Sequence, residues 1–530
     1  MNSRVYPINI SGIKNTGTEK WLENYFIPVT GIEFNSIYSH VSASFLDSIK
    51  QYNDDVVVYS IAISNLKIIH TTSLWISEVL RLIRLKDEGY DYIIGAKKVR
   101  IPNDISAFRY DFLSRIDFIS RVISGLNFQE KIKNVLRTIQ YNLKPSVFVN
   151  KTFLTNIPAP FFLIGCRDFI EVGLYCKQNK ISPVQLPPLL FANNRCEEVE
   201  KESELDDILG FVHRFFVLIK KHFPEINSQL FRLLRKELEA RFISSLLFFK
   251  QNFDVFSRFK PKKLLATGLG NPIDRLLCAS YRHAGGEVVG FNHGNNYCCG
   301  YYPETLKLLA MVDQYVTVTA GHKKLLQEAV ENFPSDLRMG SVTYIKQSYY
   351  KRLFTEQQRK KPVNKIKTIM IVGFPMTDLY YPLFPGGYTY VQIDLELRLG
   401  KLLRSNGYHV IYKPHPNTSN DVDAVFEGYA DKVIKERFED VLDQADCIIF
   451  GDFSTTTFGY SLLSNKPIVL IDVKGNYWQP RVFGLIKKRC SVVEVEAVDG
   501  RIVFDEKNVL NAIGKSLENI DYDILYEYAF

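Results

Sequence analysis

The chain has 530 residues, 46% hydrophobic and 23% charged, enough for ordinary globular cores and too long for one compact domain. No apolar run approaches the roughly 18 to 20 residues of a membrane-spanning helix, and Met1 to Ile10 lacks the apolar core of a secretion signal, so the expected place is the cytoplasm. Eight cysteines without a C-x-x-C pair exclude zinc-ribbon and dithiol chemistry, and a net charge of +8 with no recognised binding motif does not point to nucleic acid.

In chain order, the first 150 residues read as α/β without a decisive motif. Asp55 to Ile61, rich in valine, predicts a strand, and Ser73 to Leu85 and Phe112 to Leu126 predict helices. Ala159 to Gly165 predicts a buried strand, after which Val199 to Phe259 is mostly helical. Phe211 to Lys263 carries twelve Lys or Arg against four Asp or Glu, the whole formal excess of the chain, and eleven Phe. Two readings stay open for it: amphipathic core helices with solvated cations, or helices laid on an anionic membrane surface.

From Lys263 the pattern sharpens into a strand (Lys263 to Thr267), a glycine turn (Gly268 to Pro272), a helix (Ile273 to His283) and a strand (Val288 to Phe291), a βαβ unit that implies a parallel sheet. A strand at Gln314 to Val318 and a helix at Gly321 to Asn332 follow, and then a polar, basic stretch from Ser348 to Lys367. A second series opens with a strand at Lys367 to Gly373 and a Pro/Gly-rich loop from Pro375 to Gly387. A helix then runs from about Val391 to Ser405, stopped by Asn406-Gly407. Strands at His409 to Tyr412, Cys447 to Phe450 and Ile468 to Ile471 complete a doubly wound sheet.

Ligands of such a sheet bind beyond the carboxyl ends of the strands, which directs attention to two loops. In Lys413-Pro414-His415-Pro416 two prolines hold the backbone extended and fix the direction of a cation and an imidazole, suited to a phosphate or a ribose. A rigid loop with a surface lysine is the plainer alternative. In Asp452-Phe453-Ser454-Thr455-Thr456-Thr457 four consecutive hydroxyls meet the free N–H groups at a helix start, a place for an anion, where simple capping by Ser454 or Thr455 would need only one. Both loops together point to nucleotide binding.

These loops, with the following Asn465-Lys466-Pro467-Ile468-Val469, resemble bacterial surface-polysaccharide glycosyltransferases, including Kdo and sialic acid transferases. CDP-glycerol glycerophosphotransferases look similar. The resemblance covers roughly the last 170 residues and implies that His415 contacts the donor nucleotide and that Ser454 and Thr455 bind its phosphate, with Lys413, Asp452 and Thr456 beside them. Gly290-Phe291-Asn292-His293-Gly294 resembles the His-Gly loop of these enzymes. His293 is then a base or a sugar-orienting group, or else a structural cap of its own turn.

The implied fold is α/β of the GT-B type, two Rossmann-like domains facing a cleft. An acceptor-binding domain is expected over residues 1–347 with a basic helical insert near 199–260, a linker over 348–365, a donor domain over 366–515, and a tail over 516–530 packed back across both. Beside the cleft, Arg275 could pair with a sugar carboxylate. Asp274 is a candidate base or nucleophile, or simply a helix-dipole partner. Gly268-Leu269-Gly270 lacks the third glycine of a dinucleotide fingerprint, since Ile273 stands there. Asp421-Val422-Asp423 reads as a helix start and Asp521-Tyr522-Asp523 lies in the tail, so no metal and no cofactor beyond the donor is expected.

The function expected is transfer of Kdo or a related nonulosonic acid from a CMP-sugar donor to a glycan or lipid-linked glycan acceptor, with peripheral contact to the inner membrane. A CDP-glycerol or CDP-ribitol phosphotransferase and a non-catalytic scaffold are the alternatives.

Overall fold

The computed structural model describes residues 4–7, 10–52, 54–94, 97–99, 161–164, 170–185, 202–257, 263–267, 269, 272–291, 309–331, 340–346, 349–374, 389–416, 421–453, 455–476, 478–518 and 520–530. Three sheets organise them. The smallest joins β1 (Arg4–Pro7), β2 (Tyr90–Ile94) and β3 (Lys97–Val99) in that order. The second contains β4 (Phe161–Ile164), β5 (Val184–Gln185), β6 (Lys263–Thr267), β7 (Glu287–Phe291), β8 (Gln314–Thr317) and β9 (Ser341–Tyr344). All its pairings are parallel, in the order β5-β4-β6-β7-β8-β9.

The third sheet holds β10 (Thr368–Val372), β11 (His409–Lys413), β12 (Lys432–Val433), β13 (Cys447–Phe450), β14 (Ile468–Val473), β15 (Ser491–Val498) and β16 (Arg501–Val503). Its order is β12-β11-β10-β13-β14-β15-β16, parallel except for the β15–β16 hairpin. Runs such as Ile448-Ile449-Phe450 and Ile468-Val469-Leu470-Ile471 are buried throughout, as strands covered on both faces must be. The α/β class and parallel sheets agree with the sequence.

Asp55 to Ile61 is a correction: it forms not a strand but the start of the helix Val56–Ser64. The Asp55 carboxylate accepts the amides of Val57 and Val58 at 2.9 and 3.0 Å, an N-cap that nucleates the turn. Val58, Ile61 and Ala62 then bury fully, and the helix packs against the helices Glu202–His222, Ser228–Ser257 and Pro272–His283. Tertiary burial outweighs the β preference of three valines. The helix expected at Phe112 to Leu126 lies outside the described residues.

The basic, Phe-rich segment forms the helices Glu202–His222 and Ser228–Ser257. Phe211, Phe215, Phe231 and Phe242 are 0% exposed, with Phe211 and Phe215 set edge-on against Phe45 at 5.4 and 5.3 Å. This apolar face is internal and is spent on the core, so it is not the face that would meet a membrane. No helix among the described residues is long and apolar enough to cross one. Within the polar stretch before β10, Tyr349–Gln358 is helical, with Tyr350 and Gln357 buried.

Both chain ends reach across the molecule. Near the start, Lys14 pairs with Asp421 at 2.8 Å, the Thr18 hydroxyl donates to the Val425 carbonyl, and Tyr429 donates to Glu19 at 2.6 Å. Tyr25 donates to the Gly500 carbonyl beneath the Arg501 guanidinium. At the end, the helix Ile524–Tyr528 packs on the helices Ala320–Glu331 and Pro480–Arg489, where Arg481 binds Glu328 and Glu527 and Gln479 donates to the Leu325 carbonyl.

Candidate functional site

Numbered from its own first strand, the six parallel strands of the third sheet have the order 3-2-1-4-5-6, with β16 added antiparallel at the edge; this is the nucleotide-binding arrangement in which the crevice opens where the order reverses, between β10 and β13. The exits of β10, β11 and β13 therefore share one edge. β11 delivers Lys413 and His415 there, and β13 delivers Asp452, Thr455, Thr456 and Thr457.

Lys413 is only 5% exposed, and its ammonium donates to the carbonyl of Pro414 at 2.9 Å. Burial holds its pKa below the usual lysine value, partly offset by Glu439 and Glu436. His415 is half-buried, and burial together with the Lys413 charge keeps its pKa below the ordinary histidine value, so it is neutral near pH 7. A neutral imidazole is a hydrogen-bond partner for a ribose or base rather than a counter-charge for phosphate.

Asp452 is 6% exposed. Thr455 is the N-cap of the helix Thr456–Leu462: its hydroxyl oxygen accepts the Phe458 amide at 3.3 Å and the Thr457 hydroxyl at 2.9 Å. The capping role thus accounts for Thr455, while Thr456 is exposed and free of such duty in the described contacts. Ser454 lies outside the described residues. The far end of this helix is pinned by Arg489, 0% exposed, whose guanidinium donates to the carbonyls of Leu462, Ser461, Ser464 and Lys466. Asn465 and Lys466 are structural too: the Asn465 amide donates to Lys360 and Lys361 carbonyls, and Lys466 donates to the Ala445 carbonyl at 2.7 Å.

The second sheet reverses its order between β4 and β6, and the Thr267 hydroxyl at the end of β6 donates to the Ile164 carbonyl across that point. The helix Pro272–His283 starts beside it. Arg275 is 5% exposed, and its Nε donates to the Leu269 carbonyl, which braces the glycine turn. Asp274 is 6% exposed, and its Oδ1 has no hydrogen-bond partner among the described residues. Burial pushes its carboxyl up to about 7, with Arg275 pulling the other way. That is the range of a group able to exchange a proton at neutral pH. His293 and its loop lie outside the described residues.

The structure also brings in residues that the motifs did not announce. Glu396, on the helix Thr389–Ser405, is fully buried between the ends of β10 and β11, and Gln392, one turn earlier, donates to the Gly451 carbonyl after β13 at 3.3 Å. Their signal was a pair of polar residues four apart on the apolar face of a helix.

Residues 379–483 match the family model described as CDP-Glycerol:Poly(glycerophosphate) glycerophosphotransferase. No curated protein matches the chain. The matched stretch includes Lys413 to Pro416 and Asp452 to Thr457, the loops at the crevice of the third sheet. The match supports a transferase of surface-polymer synthesis, one that uses a nucleotide-linked donor.

Proposed function

We propose that the chain transfers a polyol-phosphate unit, such as glycerol phosphate, from a CDP-linked donor to the end of a surface polymer. The observation that carries this reading is the coincidence of the family match with the strand-end loops of the 3-2-1-4-5-6 sheet. Transfer of Kdo from a CMP-linked donor has no comparable support, and the second of the expected chemistries replaces the first.

In this reading the third sheet holds the cytidine nucleotide. His415, neutral, hydrogen-bonds the nucleoside. Asp452 accepts a ribose hydroxyl, and the amides at the start of Thr456–Leu462, with Ser454 and Thr456, meet the diphosphate. Lys413 offsets charge from a buried position behind the loop. The polymer hydroxyl attacks the phosphorus that bears the glycerol. A new P–O bond forms as the bond to the bridging oxygen breaks, and CMP leaves with the electron pair. The hydroxyl proton passes to a base, for which Asp274 and His293 are the candidates and Asp274 the better supported, through its unpartnered oxygen and its raised pKa. A GT-B arrangement, with the acceptor on the second sheet and closure of the two units, would bring these groups together.

The test is to incubate the purified chain with CDP-glycerol and a glycerophosphate primer, with CMP-Kdo in a parallel reaction. CMP release coupled to primer extension with CDP-glycerol supports the proposal. Turnover of CMP-Kdo instead would restore the sugar-transfer reading, and turnover of neither donor would leave a scaffold.

A further inference from the structure

Glu396 and Tyr412 form a buried unit under the crevice that none of the sequence motifs uses. Glu396 and Tyr412 are both 0% exposed. The Tyr412 hydroxyl donates to Glu396 Oε2 at 2.8 Å, and the Phe374 amide, just past the end of β10, donates to Glu396 Oε1 at 3.0 Å. The Tyr412 ring lies flat on Phe426, with centroids 3.7 Å apart. Gly373 completes the fit, because a Cβ there would stand 2.3 Å from the Tyr412 hydroxyl oxygen. The backbone continues the link, since the Gly373 amide donates to the Lys413 carbonyl at 2.9 Å.

One side chain therefore binds the exit of β10 through Phe374, the exit of β11 through Tyr412, and the helix that carries it. Asp452, at the exit of β13, is close enough for its charge to act on Glu396. These are the strand ends that present Lys413, His415 and Asp452. A core that needed only packing would hold a leucine here, since burying a carboxyl group is costly unless its hydrogen bonds fix something.

We propose that Glu396 and Tyr412 are positioning residues that set the register of the β10 and β11 exits and so the affinity for the donor nucleotide. The inference rests on the donor-site reading above. Both side chains are fully buried, so in that reading they act through the strand ends they hold.

The test uses Glu396→Gln and Tyr412→Phe, which conserve volume, and the double variant, in the full chain. Titration with CDP should show each single variant binding roughly tenfold more weakly, the loss expected from about one hydrogen bond to a charged or buried group. The double variant should be little worse than either, because the two substitutions break one unit. Donor KM should rise while kcat changes less. Lower thermal stability with unchanged CDP affinity and KM would reduce the pair to a packing role and overturn the proposal. Failure of the wild type itself to bind any cytidine nucleotide would overturn the donor-site reading and this inference with it, and is distinguished by needing no variant.

Discussion

Asp274→Asn separates a catalytic carboxylate from a structural one, because it is expected to raise stability while removing activity. The carboxyl is raised from 3.8 to about 7 by burial, and the Oδ1 atom has no hydrogen-bond partner among the described residues. Each pH unit between those values corresponds to about 1.4 kcal/mol, so the ionised form costs the folded state on the order of 4 kcal/mol. The sign follows from the raised pKa. Below 3.8 the folded and unfolded chains both hold the proton; between 3.8 and about 7 only the folded chain does, and stability falls as pH rises across that window. Asparagine has no such dependence. In urea unfolding at a series of pH values, the variant should gain on the wild type steadily from about pH 4 to about pH 7 and level off above. Primer extension should fall by roughly two to four powers of ten at about pH 7 and above, the usual weight of general-base catalysis, and by progressively less at lower pH, where the wild-type carboxyl is itself protonated. Parallel stability curves would refute the buried, unpartnered state of the carboxyl, and unchanged turnover would refute its role as base.

His415→Ala should weaken CDP binding with little effect on stability, since the imidazole is half-buried at the loop surface; thermal shift with and without CDP measures both. Gly373→Ala should cost about 1 to 3 kcal/mol by overpacking against Tyr412, read from urea midpoints. Arg489→Met should destabilise by roughly 3 kcal/mol or more because at least four carbonyl partners lose a buried donor, and a stability within error of wild type would show that water replaces the guanidinium without cost. For Glu396, pushed up from 4.5 to about 8 by burial, stability from the protonated form is lost as pH rises through that window, so Glu396→Gln should compare better with wild type at about pH 8 than at about pH 5 in thermal melts.

The sequence by itself determined the second half most fully. The strands at Lys263 to Thr267, Lys367 to Gly373, Cys447 to Phe450 and Ile468 to Ile471 all stand in the sheets within a residue or two, because unbroken apolar runs between glycine turns permit little else. The stop at Asn406-Gly407 is equally local: Gly407 adopts φ 79°, and its amide and that of Tyr408 close the helix onto Arg404 and Leu403. Local chemistry also marked Lys413 to Pro416 and Asp452 to Thr457 as strand-end loops. Tertiary structure decided what those residues are free to do. Thr455 is occupied as a cap, Lys413 is drawn against its own neighbour's carbonyl, and Arg275 braces a turn, because the fold sets each beside a backbone group that takes up its hydrogen bond, which no linear pattern reveals. The same holds for the valine-rich Asp55 to Ile61, made helical by its cap and by the helices around it, and for the inward Phe face of the basic segment. Glu396 shows the limit most clearly: four residues from Gln392 on a helix it looks like one more polar position, and only the fold brings the ends of β10 and β11 upon it as hydrogen-bond partners.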